Sequence, residues 1–99
     1  MNTVYESLNS LIPRKDCQKY RNDGEFIVVS NTANKILFLN QTAKEIFILC
    51  DGANSIRDIV EKLSTIYNVD INQLQKDVVR TIRDFQWNNL ITLAKKHSD

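Results

Sequence analysis

A change of period at Asn40 constrains this chain more than any other feature. From Lys15 to Asn40, short β-branched and aromatic runs are separated by polar turn residues; beyond it, apolar residues recur every three or four positions. Cys17–Tyr20, Phe26–Val29 and Lys35–Leu39 read as three strands. Asn22-Asp23-Gly24 separates the first two, and Asp-Gly readily takes the positive φ of a hairpin turn. Asn31-Thr32-Ala33-Asn34 is a second polar turn. Short turns between consecutive strands imply an antiparallel meander in the order 1-2-3, which leaves the third strand at an edge.

Asn40 is expected to cap a first helix whose stripe is Ala43, Ile46, Phe47 and Cys50, with Asp51-Gly52 as its stop. Ser55-Ile56-Arg57-Asp58 opens a second helix with a capping-box start, and its apolar face is Ile56, Ile59, Val60, Leu63 and Ile66. Tyr67 then covers the core at the end of that helix. Asp70-Ile71-Asn72-Gln73 opens a third, with Leu74, Val78, Ile82 and Phe85 as its core stripe. Leu90–Leu93 finishes as either a short strand or a packed tail. Ahead of the meander, Val4, Leu8, Leu11 and Ile12 have loose helical spacing, as either a short helix or an extended arm, and Pro13 closes that segment. The expected fold class is α+β, a three-stranded antiparallel β-meander followed by three helices. Residues 1–11 form an N-terminal arm, 12–94 one domain and 95–99 a C-terminal tail.

Several function classes are disfavoured by what the chain lacks. Its 99 residues suffice for one core. With 13 Lys+Arg against 12 Asp+Glu the net charge is +1, unlike the strongly basic domains that grip nucleic-acid backbones. The N-terminus has no basic stretch leading into an apolar one, and no apolar run approaches the ~20 residues of a membrane span, so the expected location is cytoplasmic, without membrane partners. Cys17 and Cys50 are the only cysteines, too few for a disulfide scaffold, and Cys50 in a helical stripe reads as a small buried hydrophobe. His97 is the only histidine, in the tail, so neither a zinc site nor a Cys–His nucleophile is expected. Gly24 and Gly52 are the only glycines, too few for a phosphate-cradling loop. The expectation is no catalytic residue, no metal and no cofactor.

The informative stretch is the third strand, whose Ile36-Leu37-Phe38-Leu39 is apolar on both faces, more than a one-sided core requires. An edge strand carries unpaired N–H and C=O groups that can recruit an extended peptide by β-augmentation. Unrolled at 100° per residue, the third helix places Gln75, Val79 and Gln86 on a flank of its core stripe, a mixed strip suited to the wall of a peptide groove. A charge at Val79 is expected to be tolerated by the fold and not by the groove. Further round come Lys76, Arg80, Arg83 and Trp87, which read either as a solvated face or as a docking strip for acidic peptide residues or a partner.

Pro13, the hairpin region, Leu39-Asn40-Gln41-Thr42-Ala43, Leu49-Cys50-Asp51-Gly52, Ser55–Val60, Leu63, Tyr67, Asp77-Val78 and Asn89-Leu90-Ile91 together resemble the PqqD family, the small winged-helix-like RiPP recognition elements. Family members usually carry glycine where this chain has Asn89, and Asn also tolerates the left-handed conformation a helix end requires. The resemblance implies a peptide-binding adaptor and not a catalyst. The leader of a ribosomally made precursor peptide would add beside the third strand and pack on the third helix, for delivery to a modifying enzyme such as a radical SAM maturase or a leader peptidase. The residues so implicated are Lys35, Ile36, Leu37, Phe38 and Leu39 on the strand, and Gln75, Lys76, Val79, Arg80, Ile82, Arg83 and Gln86 on the helix.

A winged-helix DNA-binding regulator is the alternative, with Lys76, Arg80 and Arg83 on a recognition helix. The near-neutral charge, a sheet that precedes the helices, and Asp77 and Asp84 on that same helix tell against it. A homodimer through the third strand is a further possible use of the same edge.

Overall fold

The computed structural model describes residues 3–16, 19–22, 27–30 and 35–95. The elements run α1 (Thr3–Leu8), β1 (Ile12–Lys15), β2 (Lys19–Asn22), β3 (Ile27–Ser30), β4 (Ile36–Leu39), α2 (Gln41–Leu49), α3 (Ile56–Ser64), α4 (Ile71–Trp87) and β5 (Ile91–Ala94). β2, β3 and β4 form the expected antiparallel meander, with Tyr20 opposite Val29 and Val29 opposite Leu37. The fold is α+β, and three helices following a meander are compatible with a winged-helix-like arrangement. Both turns of the meander and Cys17 lie outside the described residues.

Alternation along the strands sorts the side chains. Ile27 and Val29 are fully buried, and Leu37 and Leu39 join the core from the same face. Phe47 of α2, also fully buried, ties this sheet to the helices through edge-to-face contacts with Tyr20 (centroids 5.4 Å apart) and Phe85 of α4 (5.6 Å). Such ring pairs add about 0.5–1.5 kcal/mol beyond their buried area.

The helices begin as their caps dictate. The Asn40 side chain accepts from the Ala43 N–H at 2.9 Å, and the Ser55–Asp58 capping box closes at 3.1 and 2.9 Å. The Asp70 carboxylate accepts from the Gln73 N–H. Gly52, after α2, has φ +80°, the left-handed region a β-carbon disfavours. α3 stops at Ser64, so Ile66 does not extend its buried face and is 64% exposed. Tyr67 packs partly against the core and its hydroxyl donates to Glu45. Donation to that carboxylate is the main reason the Tyr67 phenol is raised above its usual value.

At the far end of α4, Leu90 N–H donates to Phe85 C=O at 2.8 Å and Asn89 N–H to Gln86 C=O at 3.1 Å. Asn89 has φ +59°. This double bond pattern with a left-handed residue reverses the chain, and its buried Leu90 follows from the apolar contact that accompanies it.

That reversal launches β5 against β1, a two-stranded antiparallel ladder from Ile12–Ala94 to Lys15–Ile91. Pro13 therefore lies inside a strand instead of ending the lead-in, and its carbonyl accepts from Gly52 N–H at 3.0 Å. The open alternatives at the two ends resolve to a short helix, α1, whose Tyr5 is buried, and a strand, β5. Lys15 of β1 reaches the carbonyls closing α2, donating to Cys50 C=O at 3.2 Å, with its ammonium 5.1 Å from the Phe47 ring centre.

Candidate functional site

β4 pairs with β3 on one side, and among the described residues no strand pairs with its other side. In an antiparallel ladder alternate residues turn their N–H and C=O away from the partner, so two of the four β4 residues offer backbone groups to this open edge. The side chains divide by parity. Leu37 and Leu39 face inward, whereas Ile36 is 62% and Phe38 69% exposed on the outer sheet face. Lys35, just ahead, is exposed.

Along the inward side of that edge runs a groove of about 370 Å³. Leu37, Phe38 and Leu39 form its β4 wall, Thr42 and Ala43 of α2 contribute, and Phe85 and Leu90 lend apolar floor. The opposite wall is α4, through Asp77, Arg80, Thr81, Asp84 and Asn88. Asp77 is held by a hydrogen bond from the Gln73 side chain at 2.9 Å.

This is the other flank of α4 from the one expected. With Ile71 at 0°, Gln75, Val79 and Gln86 lie at about 40–80°, and Asp77, Thr81, Asp84 and Asn88 at about 220–280°. Leu37, Phe38, Leu39 and Arg80 are the expected site residues that the structure brings together on the groove. Lys35, Ile36, Gln75, Lys76, Val79, Ile82, Arg83 and Gln86 do not line it. Ile82 is fully buried in the core and Val79 is only 7% exposed, so the fold has no room for a charge at Val79. Lys76, Arg80, Arg83 and Trp87 do form an exposed stripe opposite the core, with Trp87 87% exposed, and Arg80 belongs to both stripe and groove.

Besides the cap and core residues Asn40, Ala43, Phe85 and Leu90, and Thr42 of α2, the groove residues that sequence reasoning misses are the α4 flank Asp77, Thr81, Asp84 and its cap Asn88. Their spacing of four, three and four is itself a helical stripe, but nothing in that spacing says that this flank, and not the opposite one, borders β4. Among the described residues no group of three or more His, Cys, Asp or Glu is placed to hold a metal, and no helix is long and apolar enough to cross a membrane. Cys50 is fully buried, donates to Ile46 C=O at 3.2 Å, and burial pushes its thiol up to about 12.

The "PqqA binding protein" of Rhodopseudomonas palustris (strain BisB5) is 29% identical over 94 residues, covering 95% of this chain and 91% of that protein. The protein of the same name from strain TIE-1 is 27% identical over the same spans. No solved structure matches. The model of the family described as "Coenzyme PQQ synthesis protein D (PqqD)" matches residues 25–91, more than half of the chain and inclusive of β3, β4, all of α2 to α4 and the groove. The chain belongs to the PqqD family.

Proposed function

We propose that this protein is a peptide-binding adaptor that captures the leader of a ribosomally made precursor peptide along β4 and presents it to a modifying enzyme. The observation that carries the reading is the open edge of β4 beside a groove walled by α4. Backbone pairing there would form a few hydrogen bonds, each contributing about 0.5–1.5 kcal/mol, and side chains would take up the groove. Relatives named for binding PqqA support a peptide as the ligand. The modifying enzyme would be a radical SAM maturase or a leader peptidase, the protein itself supplying binding and not chemistry. The DNA-binding alternative draws no support from the groove, whose α4 wall carries two carboxylates and one guanidinium.

The test is a fluorescence-anisotropy titration with a synthetic leader peptide from the precursor encoded beside this gene, with a random DNA duplex in parallel at the same salt. Saturable peptide binding near micromolar, about −8 kcal/mol, without duplex binding is expected. Duplex binding without peptide binding would overturn the reading.

A further inference from the structure

Residues opposite one another across paired strands point to the same face. A segment added to β4 would therefore show one row of side chains to the outer face and the other to the groove. The outer row meets Ile36 and Phe38, apolar and more than half exposed. The groove row meets two chemistries at once: an apolar lining of Leu37 on the β4 wall and Phe85 on the floor, and a rim bearing Asp77 and Asp84. Arg80, which falls between them in sequence but further round the helix toward the exposed stripe, also borders the groove, so the described wall keeps one net negative charge.

A side chain suited to that row has an apolar stem and a cationic end. Lysine and arginine have this form, laying methylenes along apolar surface while the charge stays at the rim. Seven residues of helix separate Asp77 from Asp84 by about 10.5 Å along the axis, and successive groove-facing residues of a strand stand about 6.6 Å apart. One basic residue between the carboxylates can thus reach either.

Resting on the reading of β4 as a peptide-binding edge, we propose that the edge selects an alternating segment. Large apolar side chains stand opposite Ile36 and Phe38, and a lysine or arginine stands opposite Leu37, its cation between Asp77 and Asp84. The favoured leader is basic on its groove face, and the cationic strip of Lys76 and Arg83 takes no part in holding it.

The experiment titrates the labelled synthetic leader against the full chain, Asp77→Asn/Asp84→Asn, Phe38→Ser and Lys76→Gln/Arg83→Gln, at two salt concentrations. These side chains are half-buried or exposed, so the fold is retained. The expected result is a loss of about three- to tenfold in affinity and a flatter salt dependence for Asp77→Asn/Asp84→Asn. Phe38→Ser should lose about threefold, and Lys76→Gln/Arg83→Gln nothing. Replacing the leader's groove-facing basic residue with norleucine should weaken binding to the unaltered chain and change nothing against Asp77→Asn/Asp84→Asn. A leader that binds the unaltered chain saturably but binds Asp77→Asn/Asp84→Asn equally well, or that tolerates norleucine in the unaltered chain, overturns this selectivity and leaves the edge standing. A leader that fails to bind the unaltered chain at all overturns the peptide-binding reading itself.

Discussion

Val79→Glu distinguishes the two flanks of α4 by stability alone. Val79 is 7% exposed, and burying a valine side chain contributes about 1.5–2 kcal/mol, which the substitution forfeits. The introduced carboxylate must either lose its water or drag the flank of α4 open, adding about 1–3 kcal/mol even after relaxation. The sum, about 2.5–5 kcal/mol, is a large share of the 5–15 kcal/mol typical of a domain. At about 4–8 °C per kcal/mol for a chain of this size, the midpoint should fall by roughly 10–40 °C. Thermal melts followed by far-ultraviolet circular dichroism measure this, with Arg83→Glu on the exposed stripe of the same helix as control, expected within about 0.5 kcal/mol of the parent. The pH dependence has a definite sign. Burial raises the new carboxyl's folded pKa above its unfolded value of about 4.3. The folded chain therefore holds that proton more tightly, so the deficit is smallest below about pH 4 and grows as pH rises through the raised value. A Val79→Glu midpoint within a few degrees of the parent at pH 7, matching Arg83→Glu, would refute the placement of this flank against the body of the protein.

Two further outcomes follow from the described geometry. In a Cys17→Ser background, the Cys50 thiol, buried and pushed up to about 12, should resist a thiol reagent at pH 8 while folded and react at once in denaturant; equal rates in the two states would contradict its burial. Asn89 at φ +59° should accept glycine with a change in urea stability of about 0.5 kcal/mol or less, whereas Asn89→Val should lose about 1–2 kcal/mol, and an equal response would deny the left-handed end of α4.

The meander and the three helices after it were legible because each carries its own period and stop signals: β-branched runs, an Asn40 cap, a Ser55 capping box, Asp51-Gly52. β1 was not, because Ile12-Pro13-Arg14-Lys15 shows no alternation and proline usually ends an element; only its distant partner, β5, makes it a strand. Ile66 fits the buried face of α3 by spacing yet lies outside it, because it continues the periodicity two residues past the point where the helix stops. The β4 edge could be seen in advance, since an apolar run on both faces survives any register. Which side of α4 lines the groove could not. A core stripe has two flanks of equal standing, and which one borders β4 depends on how sheet and helix meet across the core, information that no local spacing contains.

The β1–β5 ladder sets how the protein yields to a pulling force. Ile12 and Ala94 are paired at one end of it, with Lys15 and Ile91 at the other. Traction applied to the chain ahead of Ile12 and beyond Ala94 acts on the same end of the ladder, so its hydrogen bonds would break in succession like a zip, and not all together in shear. Once open, the strands no longer brace Pro13 against Gly52 or hold Lys15 over the closing carbonyls of α2. A processive unfoldase that pulls on the chain beyond Ala94 would therefore peel this clasp first, and the β4 edge would come apart only after it.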